Sequence, residues 1–160
     1  MTIQIDSREH KWELARIQRQ LTALGCKTIV SKLYVGDYQS LDNPRLVIDR
    51  KKDLQEICGN VTQQHERFQR ELLRAQEAEI QLIILIEHGD DIQSLEDVYF
   101  WDNPRLSKSP KATTGKSLYR SLCTIRDRYN VRFEFCTKRE TGQKIMELLD
   151  GQEEKQQWMD

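Results

Sequence analysis

From Ile80 to Ile86 the chain reads Ile-Gln-Leu-Ile-Ile-Leu-Ile, with Gln81 the one polar interruption. A strand with one wet face alternates apolar and polar side chains, whereas a run this continuous belongs to a strand covered on both faces. Ile80 to Glu87 is therefore the best candidate for a central strand, and the rest of the chain must supply its neighbours and covers.

Those neighbours are legible. Ile3 and Ile5 alternate with polar residues and run into Asp6, a short first strand ending on a carboxylate. Leu14, Ile17, Leu21 and Leu24 repeat at helical spacing, with Gly25 at the expected C-terminal cap. Lys27 to Lys32 and Leu33 to Gln39 read as two strands, and the turn Asp42-Asn43-Pro44 leads into a third, Arg45 to Lys51; together they suggest a meander. From Asp53 to Ala78 the pattern is helical, interrupted near Gly59-Asn60, with Phe68, Leu72 and Ala75 on one face. Trp101 to Thr114, rich in Pro, Ser, Lys and Thr, reads as a mobile loop. A helix from Lys116 to Tyr129, a strand from Val131 to Phe135 and a helix from Lys138 to Leu149 follow. Residues 1–150 are expected to form one domain and 151–160 a frayed polar tail. The string Asp-Asn-Pro-Arg-Leu occurs at Asp42 to Leu46 and at Asp102 to Leu106 in dissimilar surroundings, which reads as shared turn chemistry.

Charged residues make up 32% of the 160, and no apolar run approaches the ~18 residues that cross a bilayer. The N-terminus lacks a signal peptide's basic and apolar regions, so the expected location is the cytoplasm. Four cysteines, Cys26, Cys58, Cys123 and Cys136, lie far apart with no C-x-x-C pair, as expected of buried free thiols. The net charge of -1 hides an uneven distribution: between Arg105 and Arg139, Lys108, Lys111, Lys116, Arg120, Arg126, Arg128, Arg132 and Lys138 face only Asp127 and Glu134.

Asp49 and Lys51 end a predicted strand, and pleating projects them to the same side while Arg50 points away. Val35-Gly36-Asp37-Tyr38 places a second carboxylate on the adjoining strand, where Asp37 can approach Asp49. Adjacent anions repel unless a cation intervenes; Mg²⁺ typically takes one or two carboxylates together with water and substrate phosphate. Two acids, a metal and a lysine meet the needs of phosphodiester hydrolysis: an activated water, charge neutralisation and help for the leaving oxygen.

Ile5-Asp6-Ser7-Arg8-Glu9, Val35-Gly36-Asp37-Tyr38 and Val47-Ile48-Asp49-Arg50-Lys51, in that order, closely resemble the D-x-x-E, G-D-[YF] and [ED]-R-K signature of the XPF-type structure-specific endonucleases. The resemblance extends through Gly59-Asn60, Arg67-Phe68, the apolar strand and Leu118 to Phe135. It implies a restriction-endonuclease-like α/β fold of the PD-(D/E)xK superfamily, with a central mixed β-sheet flanked by α-helices. It implies Mg²⁺ or Mn²⁺ dependence and DNA cleavage at branched, flapped or junction structures in recombination, replication or repair. Carried over by motif, Asp6, Glu9, Asp37 and Asp49 form the acidic site, with Asp37, Asp49 and Asp6 as metal ligands and Lys51 as the catalytic lysine. Arg50 would buttress the site or meet DNA, and Arg8 would contact phosphate or pair with Glu9. Asp49 replaces the usual glutamate. The family's next acid falls on Gln55, between Asp53 and Glu56, and a one-residue insertion makes Glu56 its equivalent. The tandem helix-hairpin-helix module that commonly follows this domain is not expected here.

For DNA contact the residues singled out are Arg8, Arg67, Arg70, Lys108, Lys111, Lys116 and Arg120, since affinity for DNA is mainly phosphate neutralisation. His10 is read as a bystander. Thr114-Gly115-Lys116-Ser117 invites a phosphate-loop reading but lacks the earlier glycine, Pro110 standing in its place, and lacks a preceding apolar strand. Relatives dimerise through this domain, so a homodimer is expected; Leu118, Leu122, Ile145, Met146 and Leu149 serve equally as interface or core. The competing function is an inactive DNA-binding scaffold, against which the intact acids and lysine argue, since clustered carboxylates without a task cost stability.

Overall fold

The structure is a computed structural model that describes residues 1–151; the expectation for the tail lies outside the described residues. Six strands form one sheet in the order β2-β1-β3-β4-β5-β6: β1 (Thr2–Asp6), β2 (Lys27–Ser31), β3 (Tyr38–Ser40), β4 (Asn43–Lys51), β5 (Gln81–Glu87) and β6 (Arg132–Cys136). The helices are α1 (Lys11–Ala23), α2 (Leu54–Val61), α3 (His65–Glu77), α4 (Gly115–Tyr129) and α5 (Thr141–Asp150), with 3-10 turns at Glu96–Phe100 and Pro104–Ser107. β3 runs antiparallel to both β1 and β4, while β1–β2, β4–β5 and β5–β6 are parallel, so the sheet is mixed.

The apolar run on β5 explains the layering. Leu82, Ile84 and Ile86 pack with Leu54, Ile57, Phe68, Leu72, Leu118 and Leu122 of α2, α3 and α4. Ile83 and Leu85 pack on the other face with Ile3, Ile5, Ile17, Leu21, Ile48 and Ile145, beneath α1 and α5. Each such side chain, withdrawn from water, contributes about 1.5–3 kcal/mol. Leu118, Leu122, Ile145 and Leu149 are buried in these two cores and Met146 packs against one of them, so the helix faces proposed for a dimer contact are used up internally.

Several expectations need correction. Lys27 to Lys51 is not a meander, because β1 lies between β2 and β3. Leu33 to Asp37 is not strand: the Leu33 amide donates to the Asp6 carboxylate at 2.8 Å and Gly36 turns the chain at φ +71°. The break expected at Gly59-Asn60 falls instead between Val61 and His65, since both residues lie inside α2. The segment read as a mobile loop is tied down by buried Asn103, whose Nδ2 donates to Thr113 O and whose Oδ1 accepts from Gln55 and the Arg105 amide. Asn43 makes the same turn, its Oδ1 accepting from the Arg45 amide, so the repeated pentapeptide shares turn chemistry and nothing more. Thr114 caps α4 by accepting from the Ser117 amide. Gly115 is required there because a Cβ would stand 2.5 Å from Trp101 O and 2.6 Å from Val98 O.

Candidate active site

The ends of β1 and β4, the turn before β3 and the inner face of α3 enclose a cleft of about 740 Å³. Strand pairing builds its centre. Tyr38 pairs with Ile48, which sets Asp37 beside Asp49. The Asp37 amide donates to Ile48 O at 2.8 Å, and the Arg50 amide donates to Asp37 Oδ2 at 2.7 Å. The turn requires glycine at 36: besides its positive φ, a Cβ there would lie 2.5 Å from Val47 Cγ1 and 3.0 Å from Ile48 O.

Pleating carries Asp49 and Lys51 onto the α2–α4 face with Val47, while Arg50 joins Ile48 on the other. Asp49 is 5% exposed and Lys51 7% exposed, with Nζ 3.1 Å from Asp49 Oδ2. Phe68 of α3 lies under the ammonium, its ring centroid 5.4 Å away. Burial alone would lower the Lys51 pKa, but Asp49 and Glu71 outweigh it and raise it. Lys51 therefore stays an ammonium at neutral pH, a donor and positive charge rather than a base.

The acids are arranged against their own repulsion. Burial, then the charges of Asp49 and Glu9, push Asp37 well above its ordinary value. Glu71, from α3, faces the same cluster, and burial and the charge of Asp49 push it up to about 7. Glu56 is raised by burial, a rise that Lys51 partly offsets. Asp49 Oδ2 is buried and, although ion-paired with Lys51, receives no hydrogen bond. The stacked carboxylates and this unsatisfied oxygen fit a hard divalent cation. Among the described residues, no group of three or more His, Cys, Asp or Glu side chains is arranged to hold a metal ion.

Glu71 is a site residue that sequence reasoning missed. The available signal was spacing: it stands three residues after Phe68, on the edge of the stripe Phe68, Leu72 and Ala75 that α3 buries.

Glu9 belongs to a second network. It accepts from Tyr38 Oη at 2.9 Å and from Arg50 Nη2 at 2.7 Å. Arg50 Nη1 lies 2.8 Å from Glu87 Oε1, and Arg16 Nη2 donates to both oxygens of Glu87 at 2.9 Å. Glu87 is 1% exposed. Arg50 thus sits beneath the site as a buried strut. Asp6 is likewise committed: it accepts from the Arg8 amide and guanidinium and from the Leu33 amide. Burial raises the Asp6 pKa, but these donors together bring it below the ordinary value. The partner of Arg8 is therefore Asp6, not Glu9.

The cleft lining gathers Asp6, Arg8, Glu9, Asp37, Asp49, Arg50, Lys51, Glu56 and Arg67, and adds Tyr34, Lys52, Glu71 and Arg74, with His10 at its edge. Asp53 is not there for chemistry: it caps α2, accepting from the Glu56 amide at 2.8 Å. Arg70, Lys108, Lys111, Lys116 and Arg120 are exposed but outside the lining.

The fold is a single α/β domain, a mixed six-stranded sheet flanked by helices, that matches the XPF nuclease fold. The ERCC4 domain model matches residues 5–149, and the chain belongs to that family. XPF from Aeropyrum pernix superposes with a TM-score of 0.67 at 20% identity, over 93% of this chain and 63% of that one. XPF from Aeropyrum pernix in complex with DNA gives 0.67 at 19% identity, over 96% and 65%. The chain thus spans less than two thirds of these solved proteins. No curated protein sequence matches it. Among the described residues no helix is long and apolar enough to cross a membrane.

Proposed function

We propose that the protein is a divalent-metal-dependent endonuclease that hydrolyses DNA phosphodiester bonds at branched, flapped or junction structures. The observation that carries it is the meeting of Asp37, in the turn before β3, with Asp49 of β4, and of the Lys51 ammonium with Asp49 at 3.1 Å. Asp37 and Asp49 would hold Mg²⁺ or Mn²⁺, whose Lewis acidity acts on the attacking water and on a phosphoryl oxygen. Lys51 donates to the phosphoryl oxygen on which charge accumulates, fixed in place by Phe68 and Asp49. Glu71 and Glu56 border the same space, where a carboxylate can orient the water by hydrogen bond. Arg50 and Glu9 hold the strand ends in register, and Asp6 fixes the turn before Asp37. Arg8, Arg67, Arg74 and Lys52 offer cations to DNA phosphates along the rim. The DNA held by the Aeropyrum pernix protein of the same fold supports that substrate class.

A homodimer belongs to the same proposal, with its contact moved to side chains exposed on the surface. Phe100, 81% exposed, lies edge-on to Tyr99, which meets Tyr119 at 5.8 Å, and exposed aromatic side chains are enriched at such contacts.

The test compares flap, splayed-arm, four-way and linear duplex substrates with Mg²⁺, Mn²⁺ or EDTA, beside Asp37→Asn and Lys51→Ala. Metal-dependent cleavage lost in both variants supports the assignment. Cleavage indifferent to EDTA and to both substitutions refutes it, and binding without cleavage by the wild type favours a DNA-binding scaffold.

A further inference from the structure

Tyr34 stands at the mouth of the cleft with its side chain 66% exposed, yet its backbone is held on both sides. Leu33 before it is buried and its amide is bound to Asp6; Val35 after it is buried in the core. The Arg74 guanidinium lies 5.7 Å from the Tyr34 ring centroid, and Arg74 Nη1 donates to the Tyr34 carbonyl at 3.4 Å. One face of the aromatic ring is thus backed by a cation from α3, while the exposed remainder of the ring adjoins the cleft.

An apolar ring left in water on a fixed backbone has given up its burial energy without gaining freedom. A nucleobase is a partner that recovers it, because every base has a flat π-face and stacking on an aromatic side chain is sequence-tolerant. Geometry limits which base. Tyr34 and Asp37 are three positions apart, roughly 11 Å of chain at most, and neighbouring nucleotides of one strand lie at least about 3.4 Å apart. The ring therefore meets a base within a few nucleotides of the phosphate at Asp37 and Asp49, whose cleft it lines. A base inside continuous duplex is already stacked on both faces. One that has left the duplex has a face to offer.

We propose that Tyr34, backed by Arg74, stacks on an unpaired nucleobase beside the phosphate to be cut, so that the cleft selects a strand leaving a duplex over continuous duplex. This rests on the nuclease function proposed above and adds the residues that set its specificity. Arg74 contributes charge to the adjacent phosphate as well as support for the ring.

The test measures affinity in EDTA, by fluorescence anisotropy, for a splayed arm and a linear duplex of equal length. 2-Aminopurine occupies each unpaired position next to the branch in turn. Wild type is expected to prefer the splayed arm and to quench the probe at one of these positions. Tyr34→Ala lowers that preference about 5- to 100-fold and abolishes the quenching, whereas Tyr34→Phe, which keeps the ring, retains both. Thermal melting of each variant establishes that it is folded. A preference in Tyr34→Ala within about two-fold of wild type, or a wild type that cuts DNA with no preference for the splayed arm, overturns the stacking role and leaves the nuclease assignment standing. A wild type that neither binds nor cuts any substrate overturns both.

Discussion

The backbone amide of Arg50 donates to Asp37 Oδ2 at 2.7 Å, so the carboxylate just before β3 is oriented by the peptide that joins Asp49 to Arg50. Asparagine at position 37 can still accept from that amide through its side-chain oxygen, but it removes one of the mutually repelling charges. Asp37→Asn should therefore fold with a Tm equal to or a few degrees above wild type, on the order of 2–4 °C per kcal/mol of relieved repulsion. Its cleavage rate should fall by about 100-fold or more, since a metal-holding oxygen loses its charge. Differential scanning calorimetry and a gel cleavage assay read the two effects separately. A variant that melts well below wild type would show that the carboxylate serves the fold instead.

Repulsion among the acids also dictates how stability follows pH. Glu71 is raised to about 7, and Asp37 and Glu56 are raised above their ordinary values. In the window between about pH 4.5, where an unfolded glutamate ionises, and about 7, the folded protein holds more protons than the unfolded chain. Stability then declines as pH rises through this window. Asp6 and Glu13, whose values are lowered, act oppositely but only in more acid solution, where unfolded carboxylates take up protons. In EDTA, Tm should fall from pH 5 to pH 7.5, and Glu71→Gln should flatten the slope. Millimolar Mg²⁺ should recover the loss at pH 7.5 by replacing the missing protons. A Tm that climbs over this range would contradict the arrangement.

Arg50 joins Glu9 and Glu87 on the buried side of β4. Arg50→Met leaves Glu9 out of water with no cation and only the Tyr38 hydroxyl, and Glu87 with Arg16 alone, at a cost of about 3–5 kcal/mol. Arg8→Ala breaks a pair whose arginine side chain is 60% exposed and should cost about 1 kcal/mol or less. Urea unfolding of the two variants side by side measures the contrast. Equal losses would mean that the Arg50 network is no more than a solvated ion pair.

The legible parts of the chain were those in which local chemistry and tertiary place agree. Continuous Leu and Ile on β5 told of covers on both faces, and period-two alternation at Asp49-Arg50-Lys51 told which side chains share a face. Resemblance supplied the mixed sheet. What stayed hidden depended on contacts distant in sequence. Strand-forming residues from Leu33 to Val35 are drawn out of the sheet by the Asp6 carboxylate and by the Gly36 turn. Lys27 to Ser31 pairs with β1 and not with its successor, which residue pattern alone does not encode. Asp6, an acid at a strand end, looks like a metal ligand until Arg8 and Leu33 are seen to hold it. Glu71 lies on a helix among Arg67, Arg70 and Arg74, where a surface ion pair is the ordinary expectation, and only the packing of α3 turns it toward Asp49.

Gly36 connects the turn to the chemistry, and its substitution separates backbone from side-chain causes. At φ +71° an alanine costs about 1–2 kcal/mol, and its methyl would meet both Val47 Cγ1 and Ile48 O. Val47 can yield, but the carbonyl belongs to the β4 backbone and accepts from the Asp37 amide. Relief of the first contact should therefore restore stability without restoring the position of Asp37. Gly36→Ala is expected to lose about 2 kcal/mol or more and at least about 10-fold in cleavage rate, the size of effect that small misplacements of a catalytic group produce. Adding Val47→Ala should give a double variant less destabilised than the sum of the single ones, by about 1 kcal/mol, with cleavage still impaired. Urea titrations of the four proteins close the cycle, and single-turnover cleavage gives the second readout. Strict additivity would show that Val47 does not confine the turn. Recovery of cleavage along with stability would show that the Ile48 carbonyl and the positive φ do not fix Asp37.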